Sequence, residues 1–150
     1  MLNFGWHLGF LWIVKHNGMG YRCGYVRVPV GHPWHSMHQN DIHYQMHIHG
    51  GLTYANYLIC DMGDGVSWWL GFDCAHAWDA PDPALPCELT SYRVYGEMIN
   101  RGRIVLVRYA DVVKIRTQAY VEQECRNLCV YAAMVAGQVI PQQDDICRSD

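Results

Sequence analysis

The sequence predicts an α+β fold: an antiparallel sheet of four to five strands, with one C-terminal helix packed on one face. Three observations predict it. Several short β-rich runs are separated by Gly, Pro and Asn turn signals. Residues 66–72 (VSWWLGF) alternate with Trp on both faces, as a strand covered on both sides would. Residues 117–136 carry one apolar stripe at helical spacing, formed by Tyr120, Val121, Cys125, Leu128, Ala132 and Val135.

In chain order, residues 10–16 (FLWIVKH) read as an apolar strand and residues 21–30 as its return. Asn17-Gly18-Met19-Gly20 supplies the hairpin turn between them. Gly24 marks a bulge or a close approach, and Pro29 an edge or a strand end. Residues 31–40 form a loop in which Trp34 folds back as an anchor. Residues 41–54 (DIHYQMHIHGGLTY) alternate apolar side chains with His43, Gln45, His47 and His49, which predicts a strand with one His-rich face. Gly50 and Gly51 remove two side chains from it, leaving room for a ligand, a ring or backbone. Residues 80–86 are a Pro-rich loop. Residues 88–100 carry no clean period, a short helix being one reading, and residues 103–109 (RIVLVRY) read as extended. Thr117 caps the helix; Gly137 and Pro141 end it. The chain is expected to be one domain, 1–150, with a tail fraying from about residue 138.

Composition narrows the function classes. Hydrophobic residues make up 51% of the chain and charged residues 17%, which suits a packed core and not a disordered chain. A net charge of −3 with 11 Lys plus Arg gives no basic field for a long nucleic acid. The one cationic concentration, Arg101, Arg103, Arg108, Lys114 and Arg116, suits a solvated face or a small anion. Six Trp and ten Tyr can serve a core, a ring-lined pocket or a subunit interface, so a homo-oligomer is expected. Seven Cys without a C-x-x-C pair point to reduced thiols in a cytosolic protein. The apolar start lacks a basic n-region and a cleavage site, and no apolar run approaches twenty residues, so neither a leader nor a membrane partner is expected.

The chemistry-bearing residues gather where residues 66–72 end: Asp73, Cys74, His76 and Asp79 lie within seven positions. Four phrases, CGYVRVPVGHPW (23–34), HGGLTY (49–54), WWLGFDCAHAWD (68–79) and RTQAYVEQE (116–124), together resemble a small, largely uncharacterised family of phage and bacterial proteins. Its patterns are GYV-x-V-P-x-GHPW, HGGLT[FY] and WW-x-GFD-x-AH, and the phrases fall in that order. The resemblance carries over to His32, Pro33, Trp34, His49, Gly50, Gly51, Asp73 and His76. His35, His38, His43 and His47 lie outside it, and residues 88–114 are longer than the family's usual connection. The resemblance implies a cytoplasmic protein, in the host cytosol if phage-encoded, for which counter-defence against nucleotide signals is one setting.

Three functional readings stand side by side. The first is binding and sequestration of a small nucleotide-like ligand, such as a cyclic nucleotide. Its pocket lies over Gly50-Gly51, walled by Trp34, Tyr54 and Trp69, with His49, Asp73, His76 and Arg116 as polar contacts; stacking a base on an aromatic face contributes roughly 1–3 kcal/mol. It needs no cofactor. The second is hydrolysis of such a ligand. Here Zn²⁺ or another divalent metal is held by His47, His49, Asp73 and His76, or else His49 or His76 acts as a general base oriented by Asp73. Cys74 as nucleophile or metal ligand is a minor variant beside its reading as a small core residue. The third is an interaction-only oligomer, and Asp73-x-x-His76 can equally be a loop brace.

Overall fold

A computed structural model of the chain describes residues 3–57, 64–86, 114–142 and 146–147. The expected extended run at 103–109 and the ambiguous stretch at 88–100 lie outside these residues. The described part is an α+β arrangement: a five-stranded antiparallel sheet with a helix across one face.

Strand β1 (Asn3–His7) pairs with β2 (Phe10–His16) across a two-residue turn, Leu8-Gly9, in which both residues have positive φ. A second hairpin joins β2 to β3 (Arg22–Val28). The Asn17 side chain organises its turn, accepting from the backbone N–H of Met19 at 2.8 Å and of Tyr21 at 3.3 Å. β3 then pairs with β5 (Trp68–Asp73), and β4 (Tyr54–Asn56) lies on the far side of β5, giving the order β1-β2-β3-β5-β4. Two short segments, β6 (Asp79–Ala80) and β7 (Lys114–Ile115), form a separate parallel pair.

Helix α1 (Gln118–Val135) begins where its sequence says it should, with the Thr117 hydroxyl accepting from the Tyr120 N–H at 3.2 Å. It ends in a Schellman arrangement: Gly137 N–H donates to the Met134 carbonyl and Gln138 N–H to that of Ala133. Beyond it the tail is partly tied down. Asn127 bonds both the carbonyl and the N–H of Cys147, and Ile140 and Ile146 pack on the core.

The core lies between helix and sheet. Trp12, Val14, Val26, Val28, Leu70 and Phe72 meet Val121, Cys125, Leu128, Cys129 and Ala132. Gly24 is the close-approach point, without a bulge, since the β3 register runs through it unbroken on both sides. A Cβ there would lie 2.4 Å from the Phe72 ring and 2.7 Å from Cys125 Sγ. The opposite face of the sheet holds a smaller buried group, Leu11, Ile13 and Trp69, flanked by Tyr25 and Tyr54. Trp on alternate faces of β5 thus reports burial on both sides.

Residues 41–54 depart from expectation. Apart from Tyr54, the segment makes no ladder; Gln39–Asp41 is a short 3-10 turn, and the chain from there to Tyr54 is irregular. Its alternation is nevertheless real, because Ile42, Met46, Ile48 and Leu52 turn into the core. A chain draped over a core needs period-two burial as much as a strand does, and no neighbouring strand is required. The edge strand β1, conversely, is an addition to the expected set, with Phe4 and Trp6 exposed.

Candidate functional site

The polar centre lies beside the first turn of α1. Four segments converge there: the end of the draped chain (His49, Gly50), the last residue of β5 with the loop after it (Asp73, His76, Trp78), β6 (Asp79) and the start of the helix with the residues before it (Arg116, Tyr120).

Asp79 is its hub. The side chain has no exposed surface, a costly position for a carboxylate unless every lone pair is used. Oδ1 accepts from Arg116 Nε at 2.8 Å. Oδ2 accepts from His49 Nε2 at 2.9 Å, and from both the backbone N–H and ring Nδ1 of His76 at 3.0 Å. Burial alone raises the Asp79 pKa, but the bonds from Arg116, His49 and His76 outweigh it, and the carboxyl is held below its ordinary value.

The bonds fix the proton pattern. With both rings neutral, His49 donates through Nε2 and its Nδ1 accepts from the Tyr120 hydroxyl at 2.9 Å. His76 donates through Nδ1, which leaves its Nε2 with a lone pair, on the ring edge that lies against Gly50. That ring is one-fifth exposed; His49 is 5% exposed. Trp78 stacks flat on His76, with centroids 4.8 Å apart and planes within 5°. Asp73 Oδ1 lies 3.9 Å from His76 Nε2, beyond direct hydrogen bonding.

Gly50 belongs to the site for a steric reason. A Cβ there would lie 2.1 Å from His76 Cε1, and φ is +66°. The gap expected at Gly50-Gly51 is therefore filled, at Gly50, by the His76 ring. Gly51 is exposed with nothing near its Cβ position.

Arg116 is aligned from two sides. Its guanidinium sits 4.9 Å over the Tyr120 ring, and its carbonyl accepts from Arg22 Nη1 at 2.9 Å. Arg22 in turn pairs with Asp82 at 2.9 Å.

The structure thus brings together His49, Gly50, Asp73, His76 and Arg116 from the expected set. It places Trp34, Tyr54 and Trp69 elsewhere. Trp34 is in the core beside His32, whose Nε2 bonds the Ala132 carbonyl near the far end of α1, roughly 18 Å along the axis from Tyr120. Trp69 is fully buried on the other face of the sheet, with Tyr54 packed nearby. These three do not wall a common pocket with His49 and His76.

The metal donor set also changes. His49, His76 and Asp79 each present one ligand atom within 4.8 Å of the others. Asp79 stands where Asp73 was expected, and His47 is exposed, its backbone N–H bonded to the Tyr131 hydroxyl. Cys74 takes no part. It is 1% exposed and burial pushes its thiol pKa far up, which is the state of an inert core cysteine.

Tyr120 and Trp78 were not expected as site residues. Tyr120 is hidden in the sequence by its place on the apolar stripe, and Asp79 by its distance from any partner but His76. Among the described residues no helix is long and apolar enough to cross a membrane. No protein-family model, curated protein or solved structure matches this chain.

Proposed function

We propose that the centre is an acid–base site that hydrolyses a small nucleotide-like ligand in the cytosol, with His76 as general base. The observation that carries this reading is the bond from His76 Nδ1–H to the buried Asp79 carboxylate. It sets the tautomer and ring orientation, leaves Nε2 with a lone pair on a ring that is one-fifth exposed, and stabilises the imidazolium formed when Nε2 takes a proton from water. Arg116 keeps Asp79 ionised through the cycle, and His49 with Tyr120 holds the second carboxylate contact. Asp73 stands near enough to bond the attacking water or the ligand.

Sequestration is the second reading, favoured by Trp78, which is 45% exposed beside the polar centre and offers a stacking surface. One experiment separates the two. The protein is incubated with linear and cyclic nucleotides, heat-denatured, and the supernatant is resolved by chromatography. A cleaved product that vanishes with His76→Gln supports hydrolysis. A nucleotide that disappears on mixing and returns intact supports sequestration. Nucleotides that stay free and unchanged sink both.

A further inference from the structure

A second group of reactive side chains lies away from the Asp79 centre, in the loop after β3. Ser36 has φ +67°, a left-handed conformation uncommon for any residue but glycine. Its Oγ lies 3.0 Å from Nδ1 of His35 and 2.7 Å from the hydroxyl of Tyr57, just after β4. His35 Nε2 lies 3.2 Å from the Val66 carbonyl, just before β5.

The directions of these bonds are determined by chemistry. A carbonyl only accepts, so His35 Nε2 carries the proton and Nδ1 presents a lone pair. Ser36 must then donate to Nδ1, and its oxygen accepts from the Tyr57 hydroxyl. The result is a one-way relay from Tyr57 through Ser36 to His35, anchored on Val66. The anchor is itself held: Asp64 accepts from the N–H groups of Val66 and Ser67 and from the Ser67 hydroxyl, which draw its pKa down to about 2. Both rings of the relay pack near Trp68, with Tyr57 edge-on to it at 4.7 Å. Ser36 is exposed.

We propose that Ser36 is a nucleophile activated by His35, and that this surface forms an acyl-transfer site for small carboxylic esters, independent of the Asp79 centre. The Ser36 oxygen bonds to the ester carbonyl carbon as its proton passes to His35 Nδ1. The Tyr57 hydroxyl is freed to donate to the oxyanion. The carbon–alkoxide bond breaks and the alcohol leaves with the proton from His35. Water, deprotonated by the same nitrogen, then releases the acid and regenerates Ser36.

The test uses the intact protein and a fluorophosphonate probe. Ser36 oxygen bonds to phosphorus, fluoride leaves, and the hydroxyl proton goes to His35. The expected result is one adduct per chain, mapped by peptide mass spectrometry to Ser36 and absent from Ser36→Gly, a replacement that suits the positive φ and keeps the fold. His35→Gln should slow labelling by roughly 100-fold at unchanged melting temperature, and Tyr57→Phe should slow hydrolysis of p-nitrophenyl acetate. His76→Gln should label like the parent, which keeps this result separate from that of the Asp79 centre. An adduct on another residue, or labelling no faster than in Ser36→Gly, overturns the proposal.

Discussion

His76 meets Asp79 twice: its backbone N–H and its ring Nδ1 both donate to the same carboxylate oxygen at 3.0 Å. A residue held by main chain and side chain to one atom has little freedom to turn its ring. Asp79→Asn keeps the shape but removes a charge that faces Arg116, and it sets an amide N–H₂ against donors. Loss of a buried ionic partner costs about 3–5 kcal/mol. The expected outcome is a clear drop in melting temperature together with loss of turnover. His76→Gln, at a partly exposed position, should lose at least about 100-fold in turnover with a much smaller thermal shift. Equal thermal losses in the two variants would identify a brace instead of a catalytic pair.

Gly50 and Gly51 offer a matched comparison. Both have positive φ, so alanine at either adds backbone strain of roughly 1–2 kcal/mol. Only at Gly50 does the new methyl collide with His76. Gly50→Ala should therefore lose turnover and a further 1–3 kcal/mol or so from overpacking, while Gly51→Ala keeps turnover. Denaturant melts and nucleotide assays on the pair check this.

Tyr120→Phe deletes one oxygen and leaves His49 Nδ1 without its bond at a ring that is 5% exposed. The expected cost is about 1–3 kcal/mol. Turnover should fall less than with His76→Gln, since in the proposed reaction His49 holds the carboxylate and takes no proton from water.

His32 makes stability depend on mild acid. Burial lowers its pKa below the ordinary 6.5, partly opposed by its bond to the Ala132 carbonyl. Its Nδ1 also accepts from the Trp34 N–H, which a protonated ring cannot do. Above pH 6.5 neither state binds the proton. Below it the unfolded chain does and the folded one resists, so stability falls as pH drops from 6.5 toward the folded value. Asp79, lowered from 3.8, adds a second loss below that pH. Melting temperatures across this range should decline in two stages, and His32→Gln should flatten the first.

Cysteine reactivity tracks burial. Cys23, Cys74, Cys125 and Cys129 are buried free thiols with pKa values raised by burial, whereas Cys147 is exposed. Timed alkylation of the native protein with peptide mapping should modify Cys147 before these four.

Helix α1, the β2–β3 hairpin and strand β5 were legible because their signals are local: a cap, an Asn-Gly turn, an alternating run. Strand β1 was not, because its turn places Leu8 at φ +51°, where leucine is seldom found, and its aromatic side chains face outward. Residues 41–54 showed which side chains are buried, but not whether a neighbouring strand was present to pair with them. The sequence likewise marked His49 and His76 while giving no sign that Asp79 would be their common acceptor. That depends on Arg116 arriving from 37 residues away to neutralise it.

The same centre has a kinetic consequence for the chain. The His76–Asp79 bonds span three positions and can form locally, but the bonds from His49, Arg116 and Tyr120 join residues separated by 30, 37 and 71 positions. Contacts of such long range are made only after the loops between them have closed, and they belong to the slow part of folding. Turnover should accordingly recover no earlier than the helix signal during refolding, making it a sensitive reporter of chains whose assembly has been completed.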